Sequence, residues 1–127
     1  MIAFTIPLNP VTKKNSSQIV HAGKYHRLIP NKRYRDYEQQ AILLIPYEVK
    51  IGIDYPVNIK ATYYRDSKRR VDITNLESAL MDVLVKAGVL KDDCAIPPIV
   101  VSTDGSRVEV DKMNPRTEIV IERIENV

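Results

Sequence analysis

Cys94 is the only cysteine in this 127-residue chain. A single thiol excludes an internal disulfide framework and any cysteine-cluster zinc site. The opening MIAFTIPLNP lacks the basic start and long apolar run of a secretory signal. No uninterrupted apolar stretch approaches the roughly 20 residues of a membrane span. Glycine and proline are too sparse for a low-complexity or disordered chain, and no internal repeat stands out. These absences lead to the expectation of a cytoplasmic protein without membrane contact, built as a single domain over residues 1–127.

Charge is present but unevenly placed. Residues 1–70 hold thirteen Lys or Arg against five Asp or Glu, and residues 71–127 hold six against eleven. A basic half and an acidic half point to a polyanion partner and a carboxylate centre, with a chance segregation of solvated charges as the alternative.

Taken in order, Ile2, Phe4 and Ile6 alternate with smaller residues and predict a short strand ended by Pro7. The polar LNPVTKKNSS reads as a loop, in which Lys13 and Lys14 beside Asn15, Ser16 and Ser17 suit phosphate contact or an ordinary exposed surface. QIVHAGKYHRLIP reads as a hairpin turning at Gly23, with His21 near its tip and His26 near its base. The two histidines lack carboxylates at ligand spacing and are read as surface residues. A helix follows from Asn31, a plausible N-cap, to Pro46, with Tyr34, Tyr37, Ala41, Leu44 and Ile45 facing inward. Lys32, Arg33 and Arg35 crowd its first turn against the helix dipole, which makes sense beside an anion.

Val57, Ile59, Ala61 and Tyr63 alternate with polar neighbours and predict a half-buried strand, followed by the basic loop 66–70. Leu76, Leu80, Val83, Leu84 and Ala87 form one helical stripe, with Asn75, Ser78 and Asp82 opposite. Thr74 and Glu77 have the pattern of a capping box, and Gly88 suits the residue just past the helix. IPPIVVSTDGSRVEVDK predicts a strand, a turn at Asp104-Gly105 and a returning strand, with Pro97 and Pro98 marking a sheet edge. PRTEIVIERI predicts a final strand. The fold class is therefore α/β: a mixed β-sheet packed against two main helices.

The stretch that carries chemistry is RRVDITNLESALMDVLVKAGVLKDD, residues 69–93. Phosphodiester hydrolysis needs charge neutralisation and an activated water, and a divalent ion held by carboxylates gives both. Asp72 precedes the helix and Asp93 follows it, and a short return could bring both to one sheet edge. Oxygen-only ligands favour magnesium or manganese over zinc. Arg69 and Arg70 would hold flanking phosphates. The same residues also read as helix caps and a polar turn, and the residues alone leave both readings open.

The run Val71-Asp72-Ile73-Thr74-Asn75-Leu76, followed by Asp82, Gly88, Val89 and Asp92-Asp93, resembles the RusA family of Holliday-junction resolvases. The match is gapless from Arg69 to Cys94, and IPLNPVTKKNS and PRTEIVIERI extend it loosely over most of the chain. The resemblance implies a RusA-like fold and a magnesium-dependent endonuclease, with manganese as a substitute ion, acting as a homodimer on four-way DNA junctions. It puts the catalytic aspartates on Asp72 and Asp93. Asp92 and Asn75 would then be further metal ligands, and Lys13, Lys14, Arg69 and Arg70 the DNA contacts. Two departures stand out: the family's D-x-D-N has Thr74 at its second aspartate, and its lysine four residues on is Ser78. They motivate an alternative, a junction- or DNA-binding module that no longer cuts. A domain unrelated to nucleic acid is a third reading, separated from both by whether the protein binds DNA at low salt.

Overall fold

The computed structural model describes residues 1–13, 17–22, 25–30, 32–92 and 97–125, with 17–22 and 25–30 described by their backbone. In chain order the elements are strand β1 (Ile2–Ile6), strands β2 (Ser17–Ala22) and β3 (Tyr25–Pro30), helix α1 (Lys32–Leu44), strand β4 (Val57–Arg65), helix α2 (Ile73–Lys86), strands β5 (Val100–Ser102) and β6 (Arg107–Val110), and strand β7 (Arg116–Arg123).

The main sheet is organised on β4. Its odd-numbered residues Val57, Ile59, Ala61 and Tyr63 are all buried, as the alternation predicts. On one side β4 pairs antiparallel with β7, which in turn pairs antiparallel with β1. On the other side β4 pairs parallel with β5 and then β6. The sheet is thus mixed, and β2 and β3 form a separate antiparallel ladder. Phe4, Ile6, Ile119 and Ile121 extend the buried face, and Leu76, Ala79, Leu80, Val83 and Leu84 of α2 and Tyr34, Tyr37 and Ala41 of α1 cover it. Each large aliphatic side chain buried there contributes about 1.5–3 kcal/mol. No helix among the described residues is long and apolar enough to cross a membrane.

The two helices lie side by side and run in the same direction. Lys86 meets Glu38 at 2.8 Å, while one turn earlier in each helix Lys13 pairs with Asp82 and sits over the Tyr34 ring.

Four local expectations change. Leu44 is 45% exposed and Ile45 takes the core position, because the chain leaves helical geometry at Pro46. The predicted N-cap Asn31 lies outside the described residues. The cap of α2 is Asp72 rather than Thr74: Asp72 Oδ1 accepts from the Thr74 backbone N–H at 3.0 Å and also from the Thr74 hydroxyl. A carboxylate two residues earlier satisfies the same orphan amides and suits the helix dipole better than a hydroxyl. His21 and His26 are direct cross-strand partners beside the last hairpin pair, Ala22 and Tyr25, so both are near the tip; the turn itself, Gly23 and Lys24, lies outside the described residues.

The fourth change concerns Asp104-Gly105. The turn exists, closed by Ser106 N–H to the Thr103 carbonyl at 3.2 Å with Gly105 at φ +87°. It does not send the chain back, since β5 and β6 both run parallel to β4. Side chains fill the break in the ladder. The Asn58 carboxamide oxygen accepts from Asp104 N–H at 2.8 Å and from the Ser102 hydroxyl at 2.5 Å. Ser106 Oγ accepts from Ala61 N–H at 3.0 Å and donates to the Ile59 carbonyl. The turn is a jog within one edge of the sheet.

Candidate active site

Asp72 stands where β4 hands the chain to α2. The intervening loop is folded back on the strand, as the Arg65 guanidinium donates to the Arg69 carbonyl. It is also tied to the loop after β1, because Asp66 N–H donates to the Asn9 side chain at 3.0 Å. Lys68, Arg69 and Arg70 are exposed at this end, next to Asp72. Another cation of this end, Arg116, is engaged by Asp111 at 2.9 Å and Glu118 at 2.8 Å and stacks on Tyr64. The 68–70 loop thus presents three exposed cations beside Asp72. Asn75 sits one turn into α2, half-buried, and Ser78 and Asp82 continue that outward face.

Asp92 stands at the other end of α2. Gly88, at φ +84°, ends the helix, and Leu90 bridges to Ile53 ahead of β4. Lys91 N–H donates to the Ile53 carbonyl at 2.9 Å, and Val57 N–H donates to the Ile99 carbonyl at 2.8 Å. The return after α2 thus reaches the beginning of β4, whereas Asp72 lies beyond its end. With about 1.5 Å per residue, α2 alone puts about 20 Å between them. The expectation that a short return brings both acidic ends to one sheet edge does not hold for Asp72 and Asp92. Asp93 lies outside the described residues. Among the described residues no three His, Cys, Asp or Glu side chains gather as metal ligands. The oxygen donors are of the kind magnesium takes, but the described part of one chain does not assemble them.

The Asp92 end has a cleft of its own, about 340 Å³, lined by Asp54, Tyr55, Pro56, Lys91, Asp92, Pro97, Pro98 and Ile99. Asp54 is the residue sequence reasoning passed over. It is 38 positions from Asp92, in a stretch read only as strand-rich, and the single Ile53–Leu90 bridge that brings the two together leaves no periodic trace. Arg123 stacks on Tyr55, one of the lining residues, at 4.4 Å.

The expected DNA contacts separate in the same way. Arg69 and Arg70 are on the surface beside Asp72, Lys13 is paired with Asp82, and Lys14 lies outside the described residues. Tyr34, near this ion pair, donates to Glu38 at 3.1 Å, and burial followed by the Glu38 charge raises its hydroxyl well above the ordinary tyrosine range. Burial likewise raises Tyr63 and pushes Tyr37 up to about 12.

The family model for endodeoxyribonuclease RusA matches residues 7–122. Among curated proteins, the crossover junction endodeoxyribonuclease RusA of Escherichia coli strain K12 is 30% identical over 94 residues, 74% of this chain and 75% of that protein. The enzyme of the same name from Enterobacteria phage 82 is 32% identical over 93 residues, 73% of this chain and 74% of its own. That of Aquifex aeolicus strain VF5 is 33% identical over 85 residues, 66% of this chain and 65% of its own.

Proposed function

The chain belongs to the RusA endodeoxyribonuclease family, and on that footing we propose that it is a structure-specific endonuclease that hydrolyses phosphodiesters in four-way DNA junctions during recombination and repair. The observation that carries this reading is the juxtaposition at the start of α2: a carboxylate cap, Asp72, beside a loop of three exposed cations. Lys68, Arg69 and Arg70 hold backbone phosphates, which fixes register without reading sequence. They also offset the repulsion between those phosphates and the carboxylate.

The distance between Asp72 and Asp92 gives the dimer a chemical reason. In a two-fold assembly with the α2 helices antiparallel, the Asp72 end of one protomer meets the Asp92–Asp93 end of the other, twice. Asp72, Asp92, Asp93 and Asn75 then supply the oxygen-rich set that suits magnesium, with manganese as a substitute. The chemistry such an ion supplies when bound is charge neutralisation on the scissile phosphate and activation of water. Two sites related by a two-fold axis match the near two-fold symmetry of a four-way junction. A cytoplasmic setting agrees with the lone cysteine.

One observation favours the second reading, a binding module that no longer cuts. Thr74, at the position of the family's second aspartate, spends its hydroxyl on Asp72. The deciding experiment is a cleavage assay on a labelled four-way junction and a matched linear duplex, with magnesium and with chelator. Paired symmetric nicks confined to the junction and dependent on magnesium establish the endonuclease. Salt-sensitive junction binding without nicks establishes the binding module. Restoring Thr74→Asp and Ser78→Lys should then recover cutting.

A further inference from the structure

The inward row of β4, Val57, Ile59, Ala61 and Tyr63, has one more member. Strand alternation puts Arg65, the last residue of β4, on the same face as these core side chains. Its backbone is fixed in the sheet: Arg65 is in register with Val110 of β6, and its carbonyl accepts from Asp111 N–H at 2.8 Å. Its side chain is half-buried, and Nε is shut off from solvent with no hydrogen-bond partner among the described residues. Arg116, another half-buried arginine at this end, is met by Asp111 and Glu118, whereas Arg65 forms no ion pair among the described residues. What its guanidinium does hold is the Arg69 carbonyl, through Nη1.

That bond closes a ring from the end of β4 through Asp66, Ser67 and Lys68 to Arg69. Two neutral ties lie inside it: Asp66 N–H donates to the Asn9 side chain at 3.0 Å, and Arg69 N–H donates to Ser67 Oγ at 3.4 Å. Lys68, Arg69 and Arg70 are adjacent, exposed and of one sign. Like charges on a free segment repel and extend it. A loop that presents three cations together therefore needs a hold, and a charged donor rooted in the sheet is stronger than either neutral tie.

We propose that Arg65 is a positioning residue: through the Arg69 carbonyl it keeps the 66–70 loop folded back on β4, so that Lys68, Arg69 and Arg70 meet the DNA backbone beside Asp72 as one preformed group. The functional part of this inference rests on the endonuclease reading above, and the hold on the loop does not. A residue that acts through the loop and a residue that touches phosphate itself make opposite predictions. Once the loop's cations are removed, a positioning residue has nothing left to position, and its loss adds nothing. A phosphate ligand costs the same in either background.

The test compares wild type, Arg65→Met, Arg65→Lys, and the triple variant Lys68→Ala, Arg69→Ala and Arg70→Ala with and without Arg65→Met. Methionine keeps an unbranched apolar stem and removes the donors, and β4 amides that stay protected from exchange show that the sheet is intact. In free protein, trypsin cleavage after Lys68, Arg69 and Arg70, read by mass spectrometry, should speed up about ten-fold in Arg65→Met. Arg65→Lys should speed it less, because lysine retains a charged donor. Affinity for a four-way junction should fall about three- to ten-fold in Arg65→Met, since binding must then order the loop. In the triple variant the same substitution should change affinity by less than about two-fold. Unchanged trypsin cleavage in Arg65→Met overturns the proposal. So does an equal loss of affinity in both backgrounds, which makes Arg65 a phosphate ligand itself. Should wild type fail to cut junctions, the endonuclease reading falls, and proteolysis still decides whether Arg65 holds the loop.

Discussion

The proposed mechanism gives Asp72, the cap of α2, a second job, and substitutions can separate the two. Asparagine is as good an N-cap as aspartate but carries no charge. Asp72→Asn should therefore abolish junction cleavage while changing stability by less than about 0.5 kcal/mol. Asp72→Ala should lose cleavage and about 1 kcal/mol as well. Thermal melts read beside cleavage assays check both, and full cleavage by Asp72→Asn would remove Asp72 from the reaction. Tyr63 offers a contrasting case. Its hydroxyl is buried without a hydrogen-bond partner among the described residues, so Tyr63→Phe should be neutral or stabilising by up to about 1 kcal/mol in denaturant titrations. A loss beyond that would mean that the hydroxyl has a bound water to satisfy it.

Periodicity made the elements legible because it records which face of a segment is buried. The stripe of α2 and the alternation of β4 were read correctly from residue spacing alone. It does not record which neighbour an element chooses. Asp-Gly after a short strand looks like the turn of a hairpin, but β6 found its partner in β4, and the signal for that lay in Asn58, 46 residues from the Asp104 it holds, and in Ser106, 45 residues from Ala61. The candidate site was legible to the same degree. The cap at Asp72, which was among the readings weighed, came through. The separation of its two ends did not, because a return loop of similar composition can close toward either end of a strand. If side chains hold the jog between β5 and β6, Asn58→Ala should cost about 1–2 kcal/mol, since it removes three hydrogen bonds at once. Faster amide exchange confined to residues 100–110 would localise the loss, and an unchanged melting curve would show that the jog needs no support.

At the scale of the whole molecule, the two ends of α2 make a prediction that a single-chain site does not. Mix two inactive proteins, Asp72→Asn and Asp93→Asn, and allow protomers to exchange. If each site draws on both protomers, every mixed dimer holds one intact site and one doubly damaged site. About half of the dimers are then mixed, and nicking should return to about a quarter of wild type, one strand at a time. If each protomer carries its own site, the mixture stays inactive. The core makes a second prediction, about alkali. Burial raises Tyr34, Tyr37 and Tyr63 above the usual tyrosine value near 10. Their neutral forms are favoured in the fold, so this part of the stability is complete below pH 10 and is lost as pH rises from 10 toward 12. Melting temperatures measured at pH 8, 10 and 11 should be level across the first interval and fall across the second.

The order in which a ribosome makes the chain adds a constraint of its own. The first strand, Ile2–Ile6, and the central one, Val57–Arg65, both find their antiparallel partner in Arg116–Arg123. Translation at about 5–20 residues per second leaves the first strand without that partner for roughly 6–25 s. Phe4 and Ile6 are available to other chains throughout that interval, and Ile59 and Ala61 are from their own synthesis onward. A message truncated before codon 116 would yield a nascent protein with most of its apolar side chains and no strand to close over them. Chaperone dependence during synthesis, and rapid removal of such truncated products, follow from the position of one strand in the reading frame.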